Sequence, residues 1–274
     1  MRLNKALLVF KKDWREIRRN WQVILPIIIV PLLLSVLLPI FIMLMPALSD
    51  MPGSASEDLS LLIENLPTHI KDELIGISNK QASIYVISLY FFAPFFLIIP
   101  LMASSVIASD SFAGEKERKT VEALLATPLS DSELFLGKTL VSFITSMMVT
   151  IISFIIYSTV VNTISFLVFD GKLLLPNLVW ILLVFGVAPT LALASIGLTV
   201  LISVRVKGFR EAQQISVVLI LPILMLIFGQ IFGAIIFGPI LISMLIIVLG
   251  VIDLLTFKLG VKLFNREEIL SRLS

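Results

Sequence analysis

The chain has no cysteine and a single histidine, His69, among its 274 residues. The first absence excludes disulfides, thiol catalysis and zinc-thiolate sites. The second excludes a histidine-rich metal site and leaves no Ser/His/Asp set to assemble. Charge is scarce as well, at 15% of residues against 58% hydrophobic. A water-soluble domain has no means of hiding that much apolar surface. The net charge of +2 says little, and the placement of the charges says much more.

Eighteen of the 21 Lys and Arg residues fall in 1–19, 116–138, 205–210 and 258–272, and only Lys71, Lys80 and Lys172 lie elsewhere. Long apolar runs separate these segments. Lys and Arg collect at the cytoplasmic ends of membrane helices. A spanning helix needs roughly 20 mostly apolar residues. Six such spans are read at about 22–47, 83–109, 138–165, 175–203, 213–231 and 237–260. The predicted fold class is therefore all-α: one polytopic transmembrane domain over 1–274, with both termini cytoplasmic, in the plasma membrane. The segment 48–82, with Asp50, Glu57, Asp58, Glu64, Asp72 and Glu73, is the expected extracytoplasmic loop, and 110–137 the expected cytoplasmic one. A signal peptide is a poor reading of the N-terminus, because the first apolar run is too long and a basic amphipathic stretch precedes it.

In that stretch Leu3, Leu7, Phe10, Trp14, Ile17 and Trp21 step by four and three, forming one apolar stripe, and Lys5, Lys12, Arg15, Arg18 and Arg19 fall largely off it. Residues 1–21 are expected to form a helix in the membrane interface, with Trp14 and Trp21 toward acyl chains and Arg15, Arg18 and Arg19 toward anionic headgroups. Whether it only anchors, or also touches a partner, is open at this point. Prolines interrupt the spans at Pro26, Pro31, Pro39, Pro94, Pro100, Pro189 and Pro222, and each removes a backbone donor. Gly186, Thr190 and Ala194, with Ala188 and Ala192, read as close helix packing. Gly229 to Gly233 and Gly238-Pro239 fit a re-entrant turn or a GxxxG contact.

Chemistry is sparse. Asp253 is the sole acid in a hydrophobic run, either an interfacial residue within reach of water or a basic neighbour such as Lys258, or a residue of a substrate or ion pathway. Ser132 to Thr139 approaches a phosphate-binding loop but has Ser132 where glycine is needed and no preceding strand. Nucleotide binding by this chain is not expected, no residue set suggests a metal or other cofactor on it, and nothing points to nucleic acid. Glu115 to Pro128 is more informative. Glu115/Lys119 and Arg118/Glu122 are spaced as helical ion pairs, Val121, Leu124 and Leu125 make a small apolar face, and Pro128 ends the helix. Ser130 and Glu133 then form a capping box for the next span.

The run Glu115-x-Glu117-x-x-Thr120-x-Glu122-x-Leu124-Leu125-x-Thr127-Pro128, followed by Glu133 and Gly137-Lys138, resembles the permeases of type-2 ABC exporters, nearest the sodium-export and multidrug-type members. Weaker echoes are Arg210-Glu211-Ala212-Gln213 and Phe264-x-Arg266-Glu267. Lys119 stands where family members typically have glycine, so the helix either breaks there or runs through. The resemblance implies a permease that forms half of a transport pathway with a second copy or a similar chain. It also implies separate cytoplasmic ABC ATPase subunits that hold ATP and magnesium. Glu115, Glu117, Thr120, Glu122, Leu124, Leu125 and Pro128 would then form the coupling segment, the acids either supporting the helix or contacting the partner directly. A secondary transporter or channel without an ATPase is the alternative, and it predicts several buried charges where only Asp253 is evident. An intramembrane enzyme lacks the needed residues.

Overall fold

The computed structural model describes residues 3–48, 74, 76–120, 127, 129–232 and 238–263. It is an all-α polytopic membrane protein. An N-terminal helix, Leu3–Ile17, turns at Arg18 and Arg19 into the first of six apolar spans among the described residues. Those are span 1 (Trp21–Met43), span 2 (Gln81–Glu117), span 3 (Ser132–Val168), span 4 (Leu178–Arg205), span 5 (Phe209–Ile231) and span 6 (Pro239–Gly260). Trp21 thus opens span 1 and is not on the N-terminal helix. Asn20 caps that span, its side-chain oxygen accepting from the Gln22 N–H at 3.1 Å.

Two spans are longer than the hydropathy suggested. The helix of span 2 runs on through Glu117, and that of span 3 begins at Asp131, behind a capping box of Ser130 and Glu133. The connection between them is therefore 118–130, shorter than the expected 110–137. Span 2 is the central one. Of its most apolar stretch 72% is buried within the chain, against 11% for span 6.

Four of the span prolines leave a trace, while Pro26, Pro31 and Pro100 sit in regular α-helix. Pro39, Pro94 and Pro189 each follow a widened π-helical stretch, at Leu33–Leu37, Ile87–Phe91 and Leu183–Val187. Pro222 follows a tightened one, at Val217–Ile220. Proline supplies no N–H to the carbonyl four residues back and crowds it, so the helix changes pitch just before the ring. In span 2 the disturbed carbonyls are supported from outside. Tyr157 of span 3 donates its hydroxyl to the Ser88 carbonyl at 2.6 Å, the Trp180 indole of span 4 donates to Leu89 at 3.0 Å, and the Gln230 amide of span 5 donates to Tyr90 at 3.0 Å. Three neighbouring spans thus hold three consecutive carbonyls of the fourth. Around them Phe96, Phe154, Tyr157 and Trp180 pack ring on ring.

Small residues bring spans 4 and 6 together, as their spacing suggested: a Cβ on Gly186 would lie 2.6 Å from Ile246 Cδ1, and Thr256 lies directly over Gly197. The re-entrant reading of 229–239 falls partly on 233–237, outside the described residues. Gly229 to Ile231 simply end the span 5 helix.

Candidate functional site

At the end of the bundle that carries the basic residues, the N-terminal helix lies against the start of span 3. Its inward stripe is Ala6, Val9, Asp13 and Ile17; Ile17 was expected there, but the first three lie one position before the expected Leu7, Phe10 and Trp14. Gly137 allows the close approach, since a Cβ there would lie 2.7 Å from both the Ala6 carbonyl oxygen and Val9 Cβ. Leu7, Arg15, Arg18, Arg19 and Trp21 remain exposed. Trp14 is half-buried, stacked on Phe10 with ring centroids 6.2 Å apart, and joins an apolar cluster with Val106, Val141 and Phe209.

Beneath this helix is a buried network of charge. Asp13, Asp110, Glu115 and Lys138 are all nearly inaccessible to solvent. Lys138 Nζ lies 2.7 Å from Glu115 Oε2 and 3.6 Å from Asp13 Oδ2, and it donates to the Ser111 carbonyl. The Ser111 hydroxyl donates to Asp13. The Phe112 ring lies 5.5 Å from the same ammonium. Lys12 bridges Glu115, Asp13 and Glu16 from the rim. Asp13, Glu16 and Glu115 have carboxylate oxygens within 4.8 Å of one another, the spacing of a cation site, and the Lys12 ammonium is the cation they surround. Burial lowers the Lys12 pKa, but the attraction of Glu115, Asp13 and Glu16 outweighs it and holds the group above its ordinary value. Arg118 closes the other side, 2.8 Å from Asp110 and 4.0 Å from Glu16, and Asn20 donates to Asp110 at 3.0 Å. Its pKa is likewise lowered by burial and raised on balance by its bond to Asp110.

The run Glu115-Lys116-Glu117-Arg118 is a junction that ties the end of span 2 to the N-terminal helix and to spans 3, 4 and 5. Glu115 takes Lys12 of the N-terminal helix and Lys138 of span 3. Lys116 donates to the Ser203 carbonyl of span 4 at 2.7 Å. Glu117 accepts from the Phe209 N–H of span 5 at 2.9 Å. Arg118 returns to span 2 and the N-terminal helix. The Asp110–Gly114 turn just before it is π-helical without any proline, and widened turns of this kind are frequent at functional sites.

This corrects the sequence reading at Glu115 and decides the alternative left open at Lys119. Glu115 does not pair with Lys119 along a surface helix, because it is buried against Lys12 and Lys138. Arg118 engages Asp110, while Glu122, its expected helical partner, lies outside the described residues. The helix breaks at Lys119, whose φ is +57°. The Thr120 N–H reaches back to the Glu115 carbonyl at 3.0 Å and the Lys119 N–H to Lys116 at 3.1 Å, the paired bonds of a Schellman stop with Lys119 in the left-handed place usually held by glycine. Thr120 is exposed just beyond it. Glu122, Leu124, Leu125 and Pro128 lie outside the described residues. Asp253 sits in span 6, and among the described residues it has no basic partner: its Oδ1 is buried and makes no hydrogen bond.

Asp13, Asp110 and Lys116 escaped the sequence reading, and Lys138 entered it only within the Gly137-Lys138 motif. Their signal was phase: Asp13 follows Ala6 and Val9 on one face, and Lys138 shares a face with Leu134, Val141 and Ser142. A charged residue at apolar spacing marks a buried pair, while the position of Lys138 near a span end looked like an ordinary basic flank.

Fold and site together define a multi-pass helical membrane protein, braced at its basic end by a buried ionic junction. The family profile described as ABC-2 family transporter protein matches residues 7–266, almost the whole sequence, and the chain belongs to that family. Its members are the membrane permease subunits of ABC transporters. No curated protein matches the chain.

Proposed function

We propose that this chain is the membrane-spanning permease subunit of an ABC exporter, of the sodium-export or multidrug type, working with separate cytoplasmic ATPase subunits that carry ATP and magnesium. The family match over 7–266 is the observation that carries this reading. The basic end then faces the cytoplasm, and a second permease copy or a similar chain completes the pathway. The junction suits the role. It holds Glu115 to Arg118 in fixed places, and the Schellman stop then releases the chain at Thr120 toward the ATPase. Thr120, Glu122, Leu124, Leu125 and Pro128 are the proposed docking residues. Glu115 and Glu117 support them from within the permease.

The test is co-purification of the ATPase subunit with the chain, in native form and as Leu124→Asp and Glu115→Gln. Leu124→Asp is expected to yield folded permease that loses the ATPase, because an unpaired carboxylate in the partner's groove costs several kcal/mol. Glu115→Gln is expected to lower the yield of folded permease, because it strips Lys138 of its nearest counter-charge. A native chain that never brings an ATPase with it sinks the reading. The unpaired Oδ1 of Asp253 is what favours the alternative, a secondary transporter. That reading requires Asp253→Asn to abolish transport by a chain working without any ATPase.

A further inference from the structure

Lys116 and Glu117 are neighbours in sequence, yet they hold the ends of two other spans. Lys116 Nζ donates to the carbonyls of Ser203 at 2.7 Å and Val204 at 3.3 Å. These lie in the last turn of the span 4 helix, where carbonyls lack intrahelical partners and the helix dipole favours a cation. Glu117 Oε2 accepts from the Phe209 N–H at 2.9 Å, at the first residue of the span 5 helix, where the dipole favours an anion. Gly208 makes room for this contact. Its own backbone is extended, and a Cβ there would lie 2.6 Å from Glu117 Oε2. One cation and one anion on the last turn of span 2 therefore grip both sides of the 206–208 turn.

The covalent chain from 118–130 leads directly only to spans 2 and 3. Apolar packing and the neutral hydrogen bonds of Trp180, Ser195 and Gln230 also join span 2 to spans 4 and 5, but these lie farther from the connection. Charged groups bonded to helix ends fix both distance and direction. We propose that Lys116 and Glu117 are positioning residues that carry displacement of the 118–130 connection to spans 4 and 5, so that four spans answer the partner together. This rests on the permease reading above.

The experiment uses the chain co-purified with its ATPase subunit in lipid nanodiscs. The native chain has no cysteine, so single reporters are clean. Ser78→Cys reports the far end of span 2 and Phe232→Cys the far end of span 5, both exposed. Each is reacted with a membrane-impermeant maleimide, with and without a non-hydrolysable ATP analogue and magnesium. Both rates are expected to respond to nucleotide in the otherwise native chain. With Glu117→Gln the response at Phe232→Cys is expected to fall at least about fivefold, the scale set by one charge-assisted hydrogen bond, while the response at Ser78→Cys persists. Glu117→Asp restores it, and Gly208→Ala, which displaces the carboxylate, reproduces the loss. If Glu117→Gln does not assemble, Gly208→Ala decides in its place: loss confined to span 5 supports the role, and an undiminished response overturns it. An undiminished response in Glu117→Gln overturns the positioning role and leaves the permease reading standing. A native complex without ATPase, or without nucleotide response at either reporter, overturns both.

Discussion

Lys138 is surrounded by Asp13, Glu115, the Ser111 carbonyl and the Phe112 ring, and it has almost no access to water. Replacing it by methionine leaves two buried carboxylates short of a counter-charge, a loss on the order of 3–5 kcal/mol. Lys138→Met is therefore expected to lower the melting temperature of the detergent-purified protein sharply. Adding Glu115→Gln to it is expected to recover part of the loss, because the orphaned charge is removed. If Lys138→Met melts like the native chain, the network contributes no stability. Lys12 makes a pH-dependent contribution. Its folded pKa is raised above 10.5, so the stability it supplies is complete below that value and is lost as pH rises through the folded pKa. A melting temperature followed from pH 7 upward is expected to show no pH dependence from Lys12 in the neutral range, where its contribution is full and constant. The alkaline fall should be shallower in Lys12→Met, and identical slopes would contradict the assignment. At this scale the sequence was least legible. Composition and hydropathy treat Asp13 and Lys138 as solvated flanks, and only the three-dimensional meeting of the N-terminal helix with span 3 shows otherwise.

At the scale of elements the six spans were legible because their apolar length is unambiguous, and the Ser130/Glu133 capping box because it is local. The extension of span 2 to Glu117 was not. Its last turns are polar, and they are buried by neighbours distant in the chain. The prolines signalled bends, but the donors that serve the bent carbonyls come from three other spans and carry no local signature. Those donors are testable. Trp180→Phe keeps the ring stack and removes the N–H bonded to Leu89. The expected cost is about 0.6–1.7 kcal/mol, the range for hydrogen bonds between membrane helices. Hydrogen exchange is expected to quicken around residues 87–94 more than elsewhere in span 2. Uniform exchange along the span would show that the π-helical stretch stands without its outside support.

For the whole molecule, the division of basic residues predicts a sidedness. A cysteine replacing Lys172 is expected to react with impermeant maleimide on intact cells, and one replacing Lys207 only after the membrane is opened. The reverse pattern would invert the topology and remove the ATPase-facing role of the junction. The four residues from Glu115 to Arg118 also make the permease sensitive to register. Successive helical residues point about 100° apart. A point substitution in this run breaks one attachment and spares three. Inserting a single residue after Gly114 turns all four at once, sending an acid toward the span 4 carbonyls and a base toward the span 5 amide. The stretch tolerates changes of identity far better than changes of length, and an insertion there is expected to dismantle the basic end even when every original residue is still present.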